Sequence, residues 1–211
     1  MEKDYHIESI VWNRFLKGDQ NAFKKIYLDH VDSLVMYGLL FCKDKFKVED
    51  AIHDVFVELH ARRANLSENI NIKFYLFACL RRQLKSILNS NAILDFKDTN
   101  CKSFEIEDLQ FDPMIHNEEQ KIMVFKLAEA INQLSRKKKE IIYLHYIQDL
   151  SYADISILLG ISLTSCRTLM YRAIKDIRSN FESDTVVTEN IDFRLLKSGI
   201  QLSLFIAALM N

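Results

Sequence analysis

Between Leu150 and Arg178 the chain runs LSYADISILLGISLTSCRTLMYRAIKDIR, a stretch that fits two helices joined by a short turn. Ser151 is placed to cap the first helix, with Asp154 three residues later as its capping-box partner. Ile155, Leu158 and Leu159 give that helix an apolar face. Gly160 supplies the left-handed residue that ends it, and Ser162 is placed to cap the second helix.

At about 100° per residue, the second helix carries Leu163, Cys166, Leu169, Met170, Ala173, Ile174 and Ile177 on one side. Thr164, Arg167, Thr168, Tyr171, Arg172, Lys175 and Arg178 fall on the other side, which has four cations and no acid. Hydroxyls near its N-terminal end, from Thr164, Ser165 and Thr168, can bond base edges or phosphates, and arginines can do both. Such a helix suits the second, groove-entering element of a helix-turn-helix. A solvated basic face on a core helix has the same charges; the capped pair with glycine in the turn favours DNA.

The rest of the chain is compatible with little but helix. Four glycines and one proline in 211 residues leave few turn residues for hairpins. The expectation is an all-α protein of two small helical domains joined by an acidic linker. Net charge is −1, so nucleic-acid binding cannot rest on overall charge, only on its distribution. Cys42, Cys79, Cys101 and Cys166 stand apart, with no zinc-type spacing. The N-terminus MEKDYHIESI lacks the apolar core of a signal peptide. No apolar run reaches the ~18 residues of a membrane span. These features suggest a reducing, cytoplasmic setting.

In chain order, residues 9–42 give helical segments broken at Gly18-Asp19, with Phe23, Ile26, Tyr27, Val31, Leu34 and Val35 as core. Residues 47–61 form a third helix on the buried stripe Val48, Ile52, Val55, Phe56 and Leu59. Its opposite side holds Asp50, Asp54 and Val57 with Glu58 beside them, either a solvated surface or a docking face for a basic partner. Glu49, His53 and His60 have helical spacing, but a helical metal site needs a second ligand-bearing helix that the sequence does not offer. Residues 65–71 are a polar loop. Residues 72–89 form a fourth helix on Leu76, Phe77, Leu80, Leu84, Ile87 and Leu88. Tyr75, Arg82, Lys85 and Asn89 gather on its other side, with Arg81 at the border. That side suits melted nucleic acid or is an ordinary basic surface.

Residues 95–118 hold seven acids against two lysines and the single proline, and are expected to be the linker. Helices over 119–134 and 136–147 then lead into the helix-turn-helix. The first packs on Met123, Leu127, Ala130, Ile131 and Leu134. The second opens on Arg136-Lys137-Lys138-Lys139, suited to phosphates, and packs on Ile141, Ile142, Leu144 and His145 or Tyr146. An apolar segment, Ile200 to Met210, ends the chain and is too short to span a bilayer.

These parts together resemble the extracytoplasmic-function sigma factors of bacterial RNA polymerase over about residues 10–180. FLKGDQNAFKKIYLDH resembles the family's opening. VEDAIHDVFVEL resembles the helix that docks on the polymerase clamp, with His53 where glutamine is usual and Asp54 where glutamate is usual. IKFYLFACLRRQLKSIL resembles the segment that reads and opens the −10 element. LSRKKKEIIYLHYIQDLSYADISILLGISLTSCRTLMYRAIKDIR resembles the −35-reading domain, with Cys166, Arg167 and Ser135 replacing the usual valine, lysine and proline. The resemblance implies domains at 1–94 and 119–182, a linker at 95–118 and an extension at 183–211. It implies polymerase docking through Asp50, His53, Asp54, Val57 and Glu58. It implies −10 binding and melting through Asn65, Asn69, Asn71, Lys73, Tyr75, Arg81, Arg82 and Lys85. The −35 contacts would be Thr164, Ser165, Arg167, Thr168, Tyr171, Arg172 and Lys175. The implied partners are core RNA polymerase, promoter DNA and an anti-sigma factor, with no cofactor, metal, small-molecule substrate or catalytic residue. The rival reading is a two-domain helix-turn-helix regulator that binds duplex DNA without joining the polymerase.

Overall fold

The computed structural model describes residues 2–90, 126–127 and 129–182. The chain divides into two compact units, Met1–Leu94 and Asp95–Asn211. All regular structure among the described residues is helical. The acidic stretch 95–118, Met123 and the apolar C-terminal segment lie outside them.

The N-terminal unit contains α1 (Glu2–Leu16), α2 (Gln20–Leu39), α3 (Lys45–Arg62), a single 3-10 turn (Arg63–Asn65) and α4 (Ile72–Ser90). Its boundaries are set by short polar side chains that satisfy the free N–H groups of helix starts. The Asp19 carboxylate accepts from the backbone N–H groups of Asn21 and Ala22 at 2.8 and 3.3 Å. Arg14 reaches back to pair with Asp19 at 2.6 Å. That contact, with the two backbone bonds, holds the Asp19 carboxyl below its usual range. Asp44 does the same for α3, accepting from Phe46 and Lys47 at 3.1 and 3.3 Å. This cap starts α3 two residues earlier than the expected Lys47 and so brings Phe46 into the helix.

Trp12 and Phe15 of α1, Ile26, Leu34 and Tyr37 of α2, Leu59 of α3 and Leu76, Phe77, Leu80 and Leu84 of α4 form the buried centre. The expected stripe of α3 is there, as are Leu76, Phe77, Leu80 and Leu84 of α4, whereas Ile87 is only half-buried and the Leu88 side chain lies outside the described residues. Along α2 the expectation is corrected: Phe23, Val31 and Val35 are half-buried and Tyr27 is exposed. Their places are taken by His30, Met36 and Tyr37. Tyr27 still packs edge-on to Phe56 at 4.9 Å, so its ring lies at the rim of the core. Helices α2 and α3 meet closely at Gly38, where a Cβ would lie 2.3 Å from Cγ1 of Val48. Only a residue without a side chain fits there.

In the C-terminal unit, helical residues 129–132 precede α5 (Arg136–Ile142), which widens into a π-helical turn over Tyr143–Ile147. Then come α6 (Tyr152–Leu159) and α7 (Leu163–Glu182). The wider turn explains a core that helical spacing does not anticipate. Glu140, Ile141, Ile142, Tyr143 and Leu144 are all buried in succession, and the Gln148 N–H donates to the Tyr143 carbonyl at 3.1 Å. A π turn shifts the register by one residue and brings one more side chain inward. Thus Tyr143, not His145 or Tyr146, fills the centre, and its hydroxyl accepts from the Gln148 amide at 2.8 Å. His145 is half-buried, stacked on Tyr152 with ring centres 4.4 Å apart.

Candidate nucleic-acid interface

The helix-turn-helix is built by the local devices expected of its sequence. Ser151 caps α6 by accepting from the Asp154 N–H at 3.1 Å. Asp154 completes the box differently from the usual pattern, accepting from the Ser151 hydroxyl at 2.7 Å. Gly160 takes φ +69°, and its N–H and that of Ile161 close the helix end on Ile157 and Ser156. Ser162 caps α7 through the Ser165 N–H at 3.1 Å. The chain bends by 101° between α6 and α7, within the range of DNA-binding helix pairs.

Cys166, Met170, Ala173 and Ile177 are buried on one side of α7, with Leu169 and Ile174 at its edges. Leu163 departs from the expectation and is exposed, because it lies at the helix start beyond the reach of the core. Thr164, Ser165, Arg167, Thr168, Tyr171, Arg172, Lys175 and Arg178 are all exposed. They form one continuous polar strip. The Thr168 hydroxyl donates to the Thr164 carbonyl at 2.9 Å, leaving its lone pairs outward. Asp176 of this helix is turned aside and pairs with Lys138 of α5. Lys138 is thereby tied to the fold, so the cation run 136–139 does not act as four equivalent phosphate contacts.

The N-terminal unit arranges its candidates on two adjoining helices. Asp50, His53, Asp54 and Val57 are exposed along α3, and Glu58 is half-buried. Asp54 accepts from the Gln83 amide of α4 at 3.0 Å. Glu58 pairs with Arg62 at 3.0 Å and lies 4.0 Å from Arg82 of α4. The acidic face of α3 and the basic face of α4 are therefore one seam, a relation that neither helix reveals alone. Gln83 has no special pattern in the sequence, and only helix packing exposes its role.

The loop before α4 is tethered. The Trp12 indole N–H donates to the Ser67 carbonyl at 2.9 Å, and Asn71 caps α4 by accepting from the Phe74 N–H at 2.9 Å. Asn71 thus has its carbonyl oxygen engaged at the helix start, with its amide hydrogens left for a ligand. Asn65 and Asn69 are exposed, Lys73 and Arg81 are half-buried, and Arg82 and Lys85 project outward. Tyr75 is half-buried with its ring 6.4 Å from Trp12. Burial, then the neighbouring Cys79, pushes its hydroxyl up to about 12. Glu49 and His53 lie exposed on α3, while the His60 ring packs against Phe23 at 5.1 Å. Among the described residues no three His, Cys, Asp or Glu side chains converge as a metal site would require. No single described helix is long and apolar enough to cross a membrane.

Two helical units, the C-terminal one carrying a helix-turn-helix, are the class that this geometry defines. Residues 125–177 match the family described as sigma-70, region 4. Among solved structures, the chain resembles CnrH in complex with the cytosolic domain of CnrY, with 16% identity and a TM-score of 0.56. That match covers 84% of this chain and 99% of the other. It also resembles the sigma factor RpoE of Bartonella quintana, solved with the anti-sigma factor NepR. There identity is 21% and the TM-score 0.56, over 77% of this chain and 98% of that one. No curated protein matches by sequence. The resemblance to extracytoplasmic-function sigma factors is thus supported by a region 4 domain in the C-terminal unit and by the fold along most of the chain.

Proposed function

We propose that this protein is a sigma factor: it binds core RNA polymerase, brings it to a promoter and helps open the duplex, while the polymerase performs the chemistry. The observation that carries this reading is the exposed strip of α7, with Arg167, Arg172 and Lys175 on a capped helix within a sigma-70 region 4 match and Arg178 just beyond it. The strip would read the −35 element, with Thr164, Ser165, Thr168 and Tyr171 contributing polar and apolar contacts. Residues 1–94 would form the domain that docks on polymerase and handles the −10 element. Asp50, His53, Asp54, Val57 and Glu58 would face the polymerase. Asn65, Asn69, Asn71, Lys73, Tyr75, Arg81, Arg82 and Lys85 would meet the melted strand, mainly through phosphate neutralisation and the exposed asparagines. Residues 95–118 would link the two domains. An anti-sigma factor would hold the protein inactive by covering these surfaces in the cytoplasm.

The discriminating experiment is run-off transcription with purified core polymerase and a randomised promoter library. A sigma factor yields polymerase-dependent initiation at selected promoters. A duplex-binding regulator binds specific DNA alone and adds no initiation to core polymerase, which would overturn the proposal.

A further inference from the structure

Phe46 lies in the first turn of α3 and is 79% exposed, more than any other large apolar side chain among the described residues. It belongs to a pattern. At about 100° per residue, Phe46, Asp50, His53 and Val57 fall within roughly 60° of one another on the outward side of α3. All four are exposed, Val57 at 53%. At a rise of about 1.5 Å per residue the two apolar members lie ~16 Å apart. Between and beside them stand carboxylates. Glu49 is loosely paired with Lys45 at 3.6 Å and Asp54 is bonded to Gln83, while no described side chain pairs with Asp50.

We propose that Phe46 is an apolar anchor for core RNA polymerase, extending the docking strip to the very start of α3. This rests on the docking reading of Asp50 and Asp54. The occupant is a surface of the polymerase that offers apolar positions ~16 Å apart and basic side chains between them. Large aromatic side chains that become fully desolvated at an interface carry a disproportionate share of binding energy. The acids supply orientation and steering around such an anchor. Charge disfavours the other candidates. A second copy of this strip would set carboxylates against carboxylates. The chain's own apolar end has Arg194 and Lys197 only ahead of the cation-free run GIQLSLFIAALMN, so no basic side chain lies between its apolar ones.

The test uses the full chain and purified core polymerase, with binding measured by fluorescence anisotropy. The variants are Phe46→Ala, Phe46→Leu and a reference, Asp50→Arg with Asp54→Arg. Phe46 is outside the core and alanine keeps the helix, so melting temperatures should match the parent. The expected result is about tenfold weaker polymerase binding for Phe46→Ala, largely restored in Phe46→Leu, with binding abolished in the reference. If the reference loses binding and Phe46→Ala stays within about twofold, the anchor is refuted and the docking reading stands. If the reference binds like the parent, both fall. If Phe46→Ala changes only self-association in sedimentation, the occupant is a second copy and the proposal is overturned.

Discussion

In the C-terminal unit the candidate DNA surface is one face of one helix; in the N-terminal unit the candidate surfaces belong to two helices that bond to each other. Beside the strip on α7, Asp176 is turned away toward Lys138. On α3 and α4, Asp54 is held by Gln83, and Glu58 lies between Arg62 and Arg82. A substitution on α7 therefore removes a contact and changes little else. A substitution on α3 also releases groups on α4. The lesson is that a periodic pattern describes a surface fully only when one element makes it.

The largest expected effect separates the units. Asp50→Arg with Asp54→Arg should abolish co-purification with core polymerase while helicity is kept; retained polymerase would end the assignment of the α3 face. Next in size is a packing effect confined to the N-terminal unit. Gly38→Ala places a methyl on Val48 and should cost about 1–3 kcal/mol, as overpacking does. Val48→Ala in the same chain should recover part of it, since the two sites are coupled. Additive losses in chemical denaturation would show that the close approach is not the cause.

On the other side of the comparison, Arg167→Ala or Arg172→Ala should each weaken −35-dependent transcription by about 1–3 kcal/mol in promoter binding. Polymerase affinity should be unchanged, and normal transcription from both would mean that the α7 strip is misassigned. Ser151→Ala removes the α6 cap and should destabilise the C-terminal unit by about 1 kcal/mol. If urea denaturation finds the N-terminal unit weakened instead, the two units are not independent.

A pH effect should also distinguish the units. Burial, followed by the charge of Lys73, lowers the His30 pKa from 6.5 to about 4. A base whose pKa is lower in the folded state binds its proton more readily when unfolded. The neutral-His30 contribution is therefore complete above about 6.5 and is lost as pH falls toward about 4. His30→Gln should flatten the acid limb of the N-terminal unit's stability curve. An unchanged limb would place the acid sensitivity elsewhere.

The sequence by itself determined the helices, their caps and the sides of α7. Each of these depends on residues three or four apart, within reach of local hydrogen bonds and one turn of backbone. Ser151, Gly160 and Ser162 act where they were expected for that reason, as do the buried Cys166, Met170, Ala173 and Ile177. Only the tertiary structure decided which polar groups remain available. Gln83 meets Asp54 across 29 positions of chain and Lys138 meets Asp176 across 38. Trp12 holds the loop at Ser67 from 55 residues away. The π turn that buries Tyr143 shifts the register of the face it belongs to. Such pairings depend on which helices pack together, and no periodicity within one helix encodes its neighbour.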